Sequence, residues 1–229
     1  MLNSQESIFD NYSYEVLTET YLDYDLSFKI IIIGDSGVGK TKLLSKAINK
    51  TFDIGYGATV GFEFSTYNIK INDKICKLQI WDTCGQEVYK SLILNFYRNC
   101  SLAILIYSID DKISFEHIEN WNNDIMNNCK IDTKKILVGN KIDLENKREI
   151  SFDDGLEYAK KNNFHYFFES SAFNGINVDN IFIKSSILLF DDYNNNNYDD
   201  ISSTSEISDY KKSIIVNKIH SEKSFFNCC

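Results

Sequence analysis

Apolar residues fall along this chain in two patterns, short unbroken runs and longer stretches of helical period, and the two alternate. Phe28-Lys29-Ile30-Ile31-Ile32-Ile33 is a β-branched run that stops at a glycine-rich loop, and Lys40–Lys50 beyond it has the spacing of a helix. Residues 62–71 and 75–82 read as two strands joined through Ile71-Asn72-Asp73-Lys74, a short polar turn suited to a hairpin. Ser101–Ser108 and Lys135–Gly139 are candidates for buried strands, and His165–Phe168 for a shorter one. Helical stretches at about 113–127, 152–162 and 176–190 lie between and after them. Strands alternating with helices predict an α/β fold: a three-layer sandwich whose mostly parallel sheet is covered by helices on both faces. Ligands of such sheets bind at the carboxyl ends of the strands.

The pattern fades at both ends. Residues 1–26 are acidic and tyrosine-rich without a long apolar run, and read as a loosely ordered extension whose apolar residues dock on the domain formed by 27–190. After Phe190 comes Asp191-Asp192-Tyr193-Asn194-Asn195-Asn196-Asn197 and a Ser/Asp-rich stretch, so 191–229 is expected to be a disordered tail. Proline is absent and marks no boundary.

Charge follows this division. Of the net charge of -9, residues 1–25 contribute six acids, 191–210 another six, and 211–229 four lysines against Glu222, which leaves the middle of the chain neutral. No clustered basic face of the kind nucleic acid requires is present, so nucleic acid is not an expected partner. Cys76, Cys84, Cys100 and Cys129 are scattered through apolar segments with no signal peptide ahead of them, which fits a reducing compartment better than a disulfide framework. No apolar run reaches the roughly 20 residues of a membrane-spanning helix.

Gly34-Asp35-Ser36-Gly37-Val38-Gly39-Lys40-Thr41 satisfies the phosphate-loop pattern, and it lies between a strand and a helix, where the mechanism needs it. Three of the ten glycines fall between positions 34 and 39, where backbone N–H groups approach phosphate oxygens with no Cβ in the way. Lys40 reaches toward the β- and γ-phosphates, and the Thr41 hydroxyl is a ligand for Mg²⁺. The loop alone leaves ATP and GTP, kinase and switch, all open. Asn140-Lys141-Ile142-Asp143 directly follows the strand ending at Gly139 and favours guanine, because one carboxylate accepts from both N1–H and the exocyclic amine while adenine has no such donor pair.

With these residues in view, the chain resembles the Ras superfamily of small GTPases, and within it the Rab family, across roughly 27–190. Besides Gly34–Thr41 and Asn140–Leu144, three segments carry the resemblance in order: Thr59-Val60-Gly61-Phe62-Glu63-Phe64, Lys77-Leu78-Gln79-Ile80-Trp81-Asp82-Thr83-Cys84-Gly85-Gln86-Glu87, and Glu169-Ser170-Ser171-Ala172. Phe96-Tyr97-Arg98 and the terminal Cys228-Cys229 add to the Rab leaning. The resemblance implies the phosphate-loop GTPase fold, with a six-stranded sheet that includes one antiparallel strand.

It also implies a division of labour within the site. Thr41, Thr59 and Asp82 would hold Mg²⁺; Lys40, Gly85 and Gln86 would act on the γ-phosphate, with Gln86 positioning the attacking water. The nucleotide would be held by Asp35, Ser36, Gly37, Val38, Gly39, Lys40, Thr41 and Lys42, by Phe52, Tyr56, Thr59 and Gly85, and by Asn140, Lys141, Asp143, Ser171, Ala172 and Phe173. Segments around Thr59 and Gly85 would be ordered by GTP and released on hydrolysis. An exchange factor, a GTPase-activating protein, a dissociation inhibitor, an escort protein, a prenyltransferase and effectors follow as partners. The protein would act in vesicle traffic on the cytoplasmic face of intracellular membranes, with a cytosolic pool. Prenyl groups on Cys228 and Cys229 would anchor it there, since one chain binds membrane marginally and two bind stably.

The sequence departs from the family pattern at several places. Cys84 replaces an alanine in the loop that carries Gln86, and two readings stay open: a thiol that displaces Gln86 and slows hydrolysis, or one that merely packs. The first leads to an alternative function, a GTP-binding membrane scaffold with little or no hydrolysis; an ATP-dependent phosphotransferase is a further rival, against which Asp143 argues. Phe173 replaces a lysine whose stem packs on guanine, and a ring stacks there as well. Val88 and Tyr89 replace Arg-Phe, and Asn99 and Cys100 replace Gly-Ala, on surfaces that partners read. No loop arginine offers a charge to the transition state, so hydrolysis is expected to be slow without an activating protein.

Overall fold

A computed structural model describes residues 11–17, 23–49, 62–83 and 96–202. Strand β1 is Tyr14–Leu17, β2 Leu26–Ile33, β3 Phe62–Ile71, β4 Lys74–Thr83, β5 Leu102–Ser108, β6 Lys134–Asn140 and β7 Tyr166–Glu169. Helix α1 is Lys40–Asn49, α2 Lys112–Glu116, α3 Ile118–Asn128, α4 Phe152–Lys161 and α5 Val178–Ser202, with a 3-10 turn at Ile142–Lys147. The described strands form one sheet in the order β1-β3-β4-β2-β5-β6-β7. β2 lies parallel between β4 and β5, and β6 and β7 continue the parallel half.

The parallel strands are buried on both sides, as continuous β-branched runs require. In β2, Ile30 and Ile32 enter one apolar cluster with Leu43, Leu44 and Ala47 of α1 and with Ile181 and Phe182 of α5. Ile31 and Ile33 point the other way and pack with Ile118 and Ile125 of α3 and Ala159 of α4. The same alternation runs through β5, where Ile104 and Ile106 face the first cluster and Leu105 and Tyr107 the second. This is the α/β sandwich expected from the sequence.

The sheet gains a strand that the sequence pattern did not predict. β1 pairs antiparallel with Asn68–Ile71 of β3, itself antiparallel to β4, so the described sheet has seven strands rather than six, with β3 the one antiparallel strand that was expected. Structure therefore begins ahead of Phe28, inside the extension. The side chains of Tyr14, Glu15 and Val16 are exposed, so no alternation of apolar and polar residues announces the strand. What holds it is the backbone ladder on the edge of β3, capped where Ser13 N–H donates to Asn72 Oδ1 at 3.1 Å and Asn72 N–H to the Ser13 carbonyl at 2.8 Å. Just upstream, Tyr12 meets Phe190 edge to face at 5.4 Å. Removing residues 1–18 should uncover this edge and lower stability by about 1–3 kcal/mol, read as a fall in the urea midpoint. An unchanged midpoint would make the strand energetically idle.

Two further differences concern helices. The stretch expected at 113–127 is split at His117 into α2 and α3. The Asp111 carboxylate caps α2 by accepting from Ile113 N–H at 3.1 Å and Ser114 N–H at 3.2 Å, and so starts a separate short helix. The chain also divides into two compact units after Phe190, yet α5 is helical to Ser202, where a disordered tail was expected from 191. In the first unit, Ser185 and Ser186 are buried in α5 and satisfied by the carbonyls of Ile181 at 2.7 Å and Phe182 at 2.8 Å. In the second, Asn195 and Asn196 donate to Asp191 and Asp192 one turn back, at 3.0 and 3.3 Å, which supports helix without apolar residues. Among the described residues no helix is long and apolar enough to cross a membrane.

Candidate functional site

The candidate site forms at the carboxyl ends of β2, β4, β5 and β6, where the loops following the strands converge. After Ile33 the backbone turns at Gly34 with φ +143, and a Cβ there would stand 2.1 Å from the Ile106 carbonyl oxygen of β5. Gly39, with φ +98, closes the loop against β6, where a Cβ would lie 2.4 Å from Asn140 Nδ2. Both positions therefore require glycine, one for approach to each neighbouring strand.

α1 starts at Lys40, and its first turn carries no acidic residue, which leaves its N–H groups and positive dipole end open to an anion. Lys40 is 5% exposed, and its ammonium donates to the carbonyls of Gly34 at 2.8 Å and Asp35 at 2.7 Å, so the loop is folded around its own cation. Next to it the Thr41 hydroxyl donates to a carboxylate oxygen of Asp82. Asp82 ends up fully buried near the end of β4, in register with Ile32 of β2. A hydroxyl and a carboxylate side by side are hard oxygen donors, the chemistry Mg²⁺ takes, and both fit as its ligands.

A second group of predicted residues comes from the ends of β6 and β7. Asn140 is 1% exposed; its amide donates to the Val38 carbonyl at 2.8 Å and its carbonyl accepts from Ser170 Oγ at 3.2 Å. Lys141 takes a left-handed conformation with φ 68, which turns the chain so that Asp143 faces Ser171, whose hydroxyl donates to it at 2.5 Å. Ser171 and Ala172 are buried, while Phe173 beside them is 61% exposed. The structure thus brings Gly34–Thr41, Asp82, Asn140–Asp143 and Ser170–Phe173 together. Lys42 lies half-buried on α1. Phe52, Tyr56, Thr59, Cys84, Gly85, Gln86, Val88, Tyr89, Cys228 and Cys229 lie outside the described residues.

Three participants were not foreseen from the sequence. Asp35 directs its carboxylate away from the cradle to α3, accepting from Trp121 Nε1 at 2.8 Å and meeting His117 Nδ1 at 2.6 Å. His117 and Trp121 are one turn apart, a spacing that puts both polar tips on one face and was the available signal. The third is Arg148, which forms a forked ion pair with Glu169 at 2.5 and 2.9 Å and also binds Glu145. Those two carboxylates hold the guanidinium firmly charged and fix the end of β7 from which Ser170–Ala172 project. Trp121→Phe keeps the ring and removes the N–H. It should cost about 1.5–3 kcal/mol in denaturant unfolding, the worth of a hydrogen bond to a carboxylate. An unchanged unfolding curve would show the contact to be incidental.

Comparison with known proteins agrees with this geometry. Residues 29–190 match the Ras family. The chain is 41% identical over 162 residues to "Ras-related protein Rab11B" of Nicotiana tabacum, a match covering 71% of this chain and 74% of the relative. It is 43% identical over 163 residues to "Ras-related protein Rab-11B" of Dictyostelium discoideum, covering 70% and 73%. With "Ras-related protein Rab-2B" of the same organism it shares 42% over 163 residues, covering 71% and 80%.

Proposed function

The chain belongs to the Rab family of small GTPases within the Ras superfamily, and we propose that it binds GTP and GDP with Mg²⁺, hydrolyses GTP slowly, and regulates vesicle-mediated membrane traffic through the difference between the two forms. The observation that supports this reading is the Asn140–Val38 hydrogen bond of 2.8 Å, which ties the loop carrying Asp143 to the loop of Gly34–Thr41.

In this reading Lys40 and the N–H groups of Ser36–Thr41 receive the β- and γ-phosphates. Asp143 would accept from the guanine N1–H and amine, while the N–H groups of Ser171 and Ala172 would meet its carbonyl and Phe52 and Phe173 would supply rings to the base. Thr41 and Asp82, with Thr59, would hold Mg²⁺, which when bound supplies positive charge that offsets the charge of the phosphates. Gln86 would orient the attacking water and Gly85 would offer its N–H to the γ-phosphate, with Lys42, Lys141 and Tyr56 as further contacts. The chain's two arginines are Arg98 and Arg148, and Arg148 is committed to Glu145 and Glu169, so transition-state charge is left for an activating protein to supply. Exchange factor, dissociation inhibitor, escort protein, prenyltransferase and effectors are the further partners proposed. Cys228 and Cys229 would carry the lipid that holds the protein on the cytoplasmic face of a membrane.

The test is to identify the nucleotide that purifies with the protein and then to measure single-turnover hydrolysis. GDP or GTP is expected, and of the two readings of Cys84 the one in which its thiol displaces Gln86 predicts turnover that rises when Cys84 is replaced by alanine. Bound ATP would sink the guanine reading. Equal rates would remove Cys84 from the chemistry, and absence of turnover in both proteins would favour the scaffold instead.

A further inference from the structure

One guanidinium joins the two segments that the base is proposed to meet. Asp143 lies in the 3-10 turn Ile142–Lys147, Arg148 follows that turn, and Glu169 ends β7 directly ahead of Ser170-Ser171-Ala172. Arg148 Nε and Nη2 donate to the Glu145 carboxylate, in the same turn as Asp143, at 2.9 and 2.7 Å. Nη1 and Nη2 donate to the two oxygens of Glu169 at 2.5 and 2.9 Å, and Nη1 also to the Ile150 carbonyl at 2.9 Å. Every N–H of the planar fork is thereby engaged, which fixes its orientation as well as its place. The contact with Glu169 is the enclosed one, since that side chain is 13% exposed against 66% for Glu145.

The same two segments are also joined without Arg148. Ile142 N–H donates to the Ser170 carbonyl at 3.1 Å, and the Ser171 hydroxyl donates to Asp143 at 2.5 Å. Asn177 Nδ2 adds a bond to the Glu169 carbonyl at 2.8 Å, so the end of β7 is held through its backbone as well as its side chain. Asp143 and the Ser171–Ala172 backbone are thus kept at one spacing by a closed set of bonds, of which the guanidinium supplies the charged part. Without it, Glu169 would become a largely enclosed carboxylate with no cation, and the neutral bonds alone would have to hold the spacing.

Resting on the reading of this site as one for guanine, we infer that Arg148 is a positioning residue for base selection, acting through Glu145 on the segment of Asp143 and through Glu169 on that of Ser171 and Ala172. Guanine carries its N1–H and amine at one end of an edge and its carbonyl at the other. The carboxylate and the backbone N–H groups can meet both ends together only at one spacing of the two segments. A displacement of about 1 Å in such an arrangement costs on the order of 10²-fold. A base that lacks the amine has one contact fewer with Asp143 to lose, so the spacing bears on selectivity and not on affinity alone.

The test compares GDP with inosine diphosphate, which lacks the exocyclic amine, by displacement of a fluorescent GDP analogue from the full-length native chain, Arg148→Met and Arg148→Lys. Arg148→Met should weaken GDP binding by about 10–100-fold and lower the preference for GDP over inosine diphosphate by about threefold or more. Arg148→Lys keeps the charge without the fork and should recover part of both. The preference is a ratio measured on one protein, so a general loss of stability, which weakens both nucleotides alike, does not imitate the effect. Should Arg148→Met fail to fold, Glu145→Ala at the exposed arm decides, with a fall of about twofold in the same ratio. A native ratio retained by Arg148→Met, or by Glu145→Ala in its place, would overturn the positioning role and leave the guanine reading standing. A native chain that binds ADP as tightly as GDP would overturn the guanine reading and the role together.

Discussion

Replacing Lys40 by methionine is expected to weaken guanine nucleotide binding by about 10²–10³-fold, the largest effect of any single change in the described site. The ammonium is almost wholly enclosed and already satisfies the Gly34 and Asp35 carbonyls at 2.8 and 2.7 Å, so its removal acts twice. Two loop carbonyls lose their donor, and the cation proposed to meet the phosphates is gone. A charge-assisted hydrogen bond contributes about 1.5–3 kcal/mol, and each 1.4 kcal/mol is a factor of ten in affinity. Methionine preserves the stem and its packing on the core, which separates loss of charge from loss of volume. Titration with a fluorescent GDP analogue measures the change. Affinity within a few-fold of the native chain would mean that the lysine holds the loop closed without meeting phosphate.

The second large effect is one of selectivity. If Asp143 reads guanine as proposed, Asp143→Asn should lower GTP affinity by about 10²-fold or more, because an acceptor for the guanine amine would become a donor and leave a polar pair unmatched at about 1–3 kcal/mol for each lost bond. The asparagine amide instead matches a carbonyl at that position of the base, so xanthosine nucleotides should bind the variant better than the native chain. Ser171, which donates to Asp143 at 2.5 Å, can donate equally to the asparagine carbonyl, so the loop itself should survive. Competition between the two nucleotide types on both proteins is the measurement. Parallel weakening of both by the variant would place Asp143 in loop structure and not in base reading.

The parallel core was legible because burial on both faces leaves an unmistakable trace, unbroken runs such as Ile30–Ile33 and Leu102–Tyr107. The phosphate loop was legible for a different reason: the close approaches of Gly34 to Ile106 and of Gly39 to Asn140 tolerate no side chain, and that constraint is written in the residue type. β1 was hidden because an edge strand held by backbone hydrogen bonds has no need of an apolar face. The helical extension to Ser202 was hidden because Asn–Asp pairs one turn apart look, in one dimension, like any polar tail. Least visible were His117 and Trp121: nothing in a sequence says that a histidine at a helix junction faces an aspartate 82 positions earlier.

That contact bears on how an acidic residue is tolerated in a loop meant for anions. A bare carboxylate at Asp35 would repel the polyphosphate through a medium that screens charge far less than water does. Because the indole N–H donates to one Asp35 oxygen at 2.8 Å while the other meets the imidazole at 2.6 Å, the charge is drawn toward α3 and its field is partly cancelled before it reaches the cradle. The junction residue His117 and Trp121 in the first turn of α3 therefore act together as an electrostatic shield. Changes there should be felt in how fast an incoming nucleotide is captured, well before they are felt in which base is chosen.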